Sequence, residues 1–339
     1  MKAAVRPVTI RDVARQANVS VASVSRALNG VDSVTETTRQ RIIAVAQALN
    51  YVPHSGARSL SRRRTDTIGI VLPEVHGEFF SEIIRGADVA ARERGLHLLV
   101  SSSHGDPAEA SAAIRAMRGR VDGMLIMSPH VDRAVLAGSL ADQQPTVLMN
   151  TPVDDGRYPS IVVDNRGGAY AVVRHLMALG RRRIAHVAGP DGNIDSAERR
   201  RGYLDALAAE GMQPCVLEGD FSGEAGERAG RELAEAADPP DAVFAANDMM
   251  AVFCIRALQA AGLRCPEDVA VAGFDDIPLA RLVTPTLTTA RVRITDLGRR
   301  ALERLVESIE HPEAETAPEI IRPELVVRES SGDPTASVH

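Results

Sequence analysis

The sequence predicts a small all-helical head ahead of a much larger α/β body, and three observations carry that reading. The first is charge: residues 1–64 hold 11 Lys and Arg against 3 Asp and Glu, a net +8, while residues 65–339 carry −14 within an overall −6. The second is that apolar residues in the head recur at helical spacing in three short bursts. The third begins at Thr67, where short apolar runs alternate with amphipathic stretches, the βαβα rhythm of parallel sheets covered by helices.

In the head, Ile10, Val13, Ala14 and Ala17 share one helix face, Val21, Val24 and Leu28 a second, and Ile42, Val45, Ala46 and Leu49 a third. Thr9, Ser20 and Thr35 stand where each helix starts, with hydroxyls suited to its first free amides. Only Ala17-Asn18-Val19 joins the first two helices, and asparagine tolerates the left-handed conformation of a tight turn. Two short helices joined this way form a helix-turn-helix, whose second helix enters the major groove of DNA. A cationic segment ahead of an acidic body suits phosphate contact; a basic solvated tail is the alternative, and it would have no reason to be periodic.

The body supplies apolar runs at Ile68–Leu72, Leu96–Val100, Met124–Met127 and Val147–Met149, then a second series at Ile184–Ala188, Ala242–Ala246 and Val269–Phe274. Two similar α/β subdomains with a cleft between them follow, and ligands gather at the carboxyl ends of such strands. No run approaches the roughly 18 apolar residues of a membrane helix and the N-terminus lacks a secretory apolar stretch, so a cytoplasmic, nucleoid-associated protein with no membrane partner is expected. Cys215, Cys254 and Cys265 are odd in number and fit no metal spacing, which predicts buried thiols, no metal and no cofactor. The chain contains no GxxxxGK[ST], no GxGxxG after a strand, no HExxH and no GxSxG, so an enzyme is not expected.

Several runs carry a resemblance: Val8-Thr9-Ile10-Arg11-Asp12-Val13-Ala14, Val19-Ser20, Val24-Ser25-Arg26-Ala27-Leu28-Asn29-Gly30 and Leu49-Asn50-Tyr51-Val52-Pro53. They resemble the headpiece of the lactose-repressor (LacI/GalR) family. The likeness continues through Val121-Asp122-Gly123, Val163-Asp164-Asn165, Ala246-Asn247-Asp248, Gly273-Phe274-Asp275-Asp276 and Leu287-Thr288-Thr289. It implies a sequence-specific transcriptional regulator, in most members a repressor of carbohydrate-utilisation genes released by a sugar. A regulator using a nucleobase-type co-repressor and a non-catalytic sugar-binding protein are the alternatives.

The resemblance places Val21 and Ala22 at the base-reading positions, where small apolar side chains pack against a thymine methyl, and leaves Arg26 as the guanine reader. Thr9, Ser20, Ser25 and Asn29 would touch phosphate or sugar, although capping accounts equally well for Thr9 and Ser20. Residues 54–64 align with a hinge helix that folds on DNA, Leu60 acting as a minor-groove wedge and Ala57 allowing close approach. Gly56 weakens that helix, and His54 departs from the asparagine more common there.

The implied organisation is a headpiece at 1–53, a hinge at 54–64, a periplasmic-binding-protein-like effector domain at 65–328 and a tail at 329–339. Its nearer subdomain is expected at 65–163 and 293–321, the farther at 164–292 and 322–328. In the cleft, Arg199, Asn247 and Asp275 form a polar set able to hold hydroxyls, and Phe79, Phe80 and Phe221 offer ring faces, each being also a candidate for the core. Asp164 and Asp276 suit local capping. Val292 and Arg293 replace a glutamine-proline-like pair. Paired hinges require a homodimer on a pseudopalindromic double-stranded operator. The interface helices are expected near Ser81–Arg94 and Met249–Ala261, and the tail has no leucine heptads for a tetramer.

Overall fold

The computed structural model describes residues 8–28, 34–51, 64–130, 138–140, 144–151, 157–313 and 316–332. The chain divides into two compact units, Met1–Thr65 and Asp66–His339.

Three helices make the head: α1 (Ile10–Gln16), α2 (Val21–Leu28) and α3 (Glu36–Ala48). Their shared core is Val13, Ala14, Ala17, Val24, Ala27, Ile42 and Ala46. One stripe differs from expectation, because Val21 is 41% exposed and Ala27 fills the place on the buried side. Asn18 turns the chain with φ 53°. Thr35 precedes α3, but its hydroxyl bonds to Thr38 Oγ1 at 2.9 Å rather than to a backbone amide.

The body holds two six-stranded sheets. The first consists of β1 (Thr67–Leu72), β2 (His97–Ser102), β3 (Gly123–Met127), β4 (Thr146–Met149), β5 (Ser160–Val163) and β11 (Glu319–Ile321). Its order is β11-β5-β4-β3-β1-β2 with every pair parallel. Helix α4 (Glu78–Arg92), α5 (Pro107–Met117) and α10 (Ile294–Glu310) belong with it. Glycines let α4 and α10 touch backbone to backbone: a methyl at Gly86 would fall 1.9 Å from the Thr295 carbonyl oxygen, and one at Gly298 2.1 Å from that of Ile83.

The second sheet holds β6 (Ile184–Val187), β7 (Cys215–Leu217), β8 (Ala242–Ala245), β9 (Ala270–Asp275), β10 (Thr288–Arg291) and β12 (Glu324–Val326). Its order is β12-β10-β9-β8-β6-β7, antiparallel only at β12. Helices α6 (Asn165–Ala178), α7 (Ile194–Ala209), α8 (Gly223–Glu235) and α9 (Asp248–Ala260) accompany it. Central strands are apolar along their whole length, as burial on both faces requires. The strands β5, β7, β10 and β11 run for three or four residues each, too short for a periodic signature.

The chain passes between the sheets after β5, after β10 and after β11, and Asp164 N donates to Ile321 O at 2.8 Å where two passages run side by side. Arg293 starts α10 in a left-handed conformation, φ 55°, with no side-chain cap, at the position where the sequence departs from the family pair. Cys254 and Cys265 are buried, but Cys215, on the outermost strand β7, is exposed, which corrects the expectation of three buried thiols. In helix α9, Arg256, Gln259 and Ala260 are exposed, Met249 and Phe253 half-buried and the rest buried. Among the described residues no helix is long and apolar enough to cross a membrane.

Candidate functional site

On the head, α2 turns Val21, Ala22 and Arg26 to solvent and leaves Ser25 half-buried. Ser20 caps the helix, its Oγ accepting from Ser23 N at 3.1 Å. Thr9 is held by Asp12, whose carboxylate accepts from Thr9 N at 3.0 Å and Thr9 Oγ1 at 2.7 Å. Both hydroxyls therefore have a structural role, as their capping positions suggest. Asn29, Ala57 and Leu60, with nearly all of the 54–64 hinge, lie outside the described residues.

In the body, Phe79, Phe80, Arg199, Phe221, Asn247 and Asp275 all line one cavity of about 380 Å³. The first turn of α4 supplies Phe79 and Phe80, packed edge to face with centroids 5.4 Å apart and planes at 88°. Asp275 ends β9. Asn247 caps α9, its Oδ1 accepting from Met250 N at 2.9 Å and its Nδ2 donating to Phe221 O at 3.0 Å. That second bond holds Phe221 in a left-handed backbone, φ 69°, which a bulky side chain rarely adopts.

Arg199 is the centre of the arrangement. Its Nε donates to Asn165 Oδ1 at 2.8 Å, its Nη1 to Ala246 O at 2.6 Å, and its Nη2 lies 3.1 Å from Asp275 Oδ1. The guanidinium sits 3.8 Å from the Phe274 ring centroid and 5.9 Å from that of Phe221. Burial pushes the Asp275 carboxyl up to about 6, against the lowering pull of Arg199. Asp275 Oδ1 is buried behind the cavity wall with Arg199 Nη2 as its charged neighbour.

Sequence reasoning missed several neighbours, chief among them Asp195. Its carboxylate accepts from Asn165 Nδ2 at 2.8 Å and Asn150 Nδ2 at 3.2 Å, and burial raises it to about 6. A chain of polar groups thus runs Asp195, Asn165, Arg199, Asp275. The signal was available, since Asp195 and Arg199 are four apart on α7 and so share a face. Asn150 follows the first sheet's β4 while Asp195 belongs to the second sheet's α7, so this bond spans the cleft. Three more do the same: Ile194 N to Pro129 O at 3.2 Å, Asn193 Nδ2 to His130 Nε2 at 3.1 Å, and Leu279 N to Glu78 Oε2 at 2.9 Å.

Asp164 caps α6, accepting from Gly167 N at 2.8 Å. Asp276 is no cap, contrary to expectation: its carboxylate takes Arg281 at 3.0 Å, Arg291 at 2.6 Å and also Arg328. Burial alone would raise Asp276, but these three arginines outweigh it and hold it low.

Comparison with known proteins places this arrangement. Residues 9–54 match the model for bacterial regulatory proteins of the lacI family, and 173–331 that for the periplasmic binding protein-like domain. The chain is 35% identical over 334 residues to the HTH-type transcriptional regulator CelR of Thermobifida fusca, covering 95% of this chain and 98% of the relative. It belongs to the lacI family of bacterial regulatory proteins. As a lacI-family member it is a DNA-binding regulator of transcription and not an enzyme. This regulator is also 32% identical over 330 residues to the transcriptional repressor CytR of Escherichia coli strain K12, covering 95% and 96% of the two chains. Its fold matches the lac repressor dimer bound to operator and the anti-inducer ONPF, with TM-score 0.85, 28% identity and 97% and 100% coverage. A CelR–cellobiose complex matches with TM-score 0.71, 34% identity and 96% and 100% coverage.

Proposed function

We propose that this regulator is a repressor that binds a pseudopalindromic operator as a homodimer in the cytoplasm and leaves it when a sugar-like effector occupies the body's cleft. Val21 and Ala22 read thymine methyls and Arg26 a guanine, while Thr9, Ser20, Ser25 and Asn29 fix the helix on the backbone. Ala57 and Leu60 act at the paired hinges in the minor groove. The lac repressor dimer on operator and the CelR–cellobiose complex support this reading by fold and sequence likeness. The observation that carries the effector half is the convergence of Arg199, Asn247 and Asp275 with three phenylalanines on one cavity.

Closing the cleft changes how the two bodies of the dimer hold the hinges, so effector and operator affinities are linked reciprocally, typically by about 1–3 kcal/mol. Anisotropy titration of the full chain on duplexes selected from a random pool tests the first half. Expected is sequence-preferring binding that weakens steeply with salt. A thermal-shift panel of sugars and nucleosides tests the second, since a ligand of the folded state raises its apparent stability. A folded preparation with no sequence preference, with or without these compounds, refutes the proposal.

A further inference from the structure

The cleft's charge is one-sided, and this bears on which sugars it admits. Four carboxylates line it, Glu74, Asp195, Asp220 and Asp275, against the single guanidinium of Arg199. That cation is already engaged by Asp275, Asn165 and Ala246, and 4% exposed between two phenyl rings. A ligand anion would reach it only by displacing Asp275. His130 adds no charge. Asn193 Oδ1 accepts from Ser196 N at 3.0 Å, so its Nδ2 faces His130 Nε2, which must therefore be a lone pair. Burial also lowers the pKa of His130. The Glu74 and Asp220 side chains, 37% and 52% exposed, are the solvent-facing carboxylates, with His76 Nδ1 3.3 Å from the first and Arg228 Nη2 3.9 Å from the second, while Asp275 inside is held by Arg199.

Resting on the sugar reading above, we propose that the effector carries no acidic group because Glu74 and Asp220 repel uronates and sugar phosphates. The test uses the full chain and matched pairs: glucose with glucuronate and glucose 6-phosphate, galactose with galacturonate, cellobiose with its uronic acid, and cytidine with its 5′-phosphate. Affinities come from calorimetry at pH 7.5. Expected is that the neutral member of a sugar pair binds at least about tenfold tighter than its acidic partner. The double variant Glu74→Gln, Asp220→Asn should narrow that gap, with melting temperature changed little. An acidic sugar binding as tightly as its neutral partner, or an unchanged gap in the variant, overturns the charge filter while leaving the sugar reading intact. Binding of cytidine alone, or of no compound, overturns the sugar reading and this inference with it.

Discussion

The head and the body of this regulator place their recognition chemistry under opposite conditions. On α2 the side chains proposed to read bases stand in solvent, and the nearby hydrogen bonds join residues three apart, such as Ser20 with Ser23. In the cleft, Arg199 and Asp275 are 4% and 5% exposed, and their bonds reach Asn165 and Ala246, 34 and 47 positions away. A surface reader can be exchanged at little cost to stability. A buried network loses more than one contact when any member goes, because its remaining groups are left unpaired in a low dielectric.

The sharpest break of that contrast lies at Asp276. Its side chain is 1% exposed and serves Arg281, Arg291 and Arg328, whose own side chains are 61%, 29% and 13% exposed, so Asp276→Ala strands chiefly Arg328 beside the crossing of the chain between sheets. Removing one partner of a buried ion pair costs about 3–5 kcal/mol. Urea unfolding should show a loss of that size in the body's transition, and a loss below about 1 kcal/mol would mean that water already serves the arginines.

Next in size is a pH effect in the second sheet. His186 is fully buried, stacked on Phe244 and Tyr203 with centroids 4.9 and 5.0 Å away, and its Nδ1 donates to Phe244 O at 2.9 Å. Burial drives its pKa down to about 4, so the folded state holds the ring neutral while the unfolded chain protonates near 6.5. Stability from this group is therefore complete above 6.5 and drains away as pH falls toward 4, by about 3 kcal/mol. Asp195 and Asp275, raised to about 6, work in the opposite sense, favouring the folded state as pH drops below 6. The comparison must then be with His186→Gln, which keeps a donor for Phe244 O. The stability of the wild type relative to that variant should decline between pH 7 and pH 4, and a constant difference would show that the ring is not the titrating group.

These cases also separate what was legible in the sequence. Asn18 in its left-handed turn and the caps at Thr9 and Ser20 were readable because each depends on neighbours within three residues. The central strands announced themselves as apolar runs because both their faces are covered. The six cleft residues proposed from family likeness do meet at one cavity, yet the likeness gave no hint of the bonds joining them. Asp276 was misread as a cap because its partners lie 5, 15 and 52 residues away and meet only through the register of β9, β10 and the return after β12. Asp195 was overlooked although its spacing from Arg199 was visible, since a lone acid in a first helical turn ordinarily serves the dipole.

A smaller effect is expected on the head. Arg26→Ala should weaken selected-operator binding by about 1–3 kcal/mol and relax the preference at one base pair, with the unfolding midpoint unchanged. Uniform weakening across all sequences, accompanied by a shallower salt slope, would instead make Arg26 a phosphate contact.

The smallest expected effect sets two valines of one helix against each other. Val24 is 0% exposed in the three-helix core, whereas Val21, three residues earlier on α2, is 41% exposed. Val24→Ala removes two buried methyl-sized groups and should cost the head about 2 kcal/mol, lowering operator affinity for every sequence alike through loss of folded head. Val21→Ala should alter head stability by less than about 0.5 kcal/mol and change only the discrimination of thymine from the other bases. If Val21→Ala destabilised the head as much as Val24→Ala, its side chain would be part of the packing and α2 would face DNA with another side.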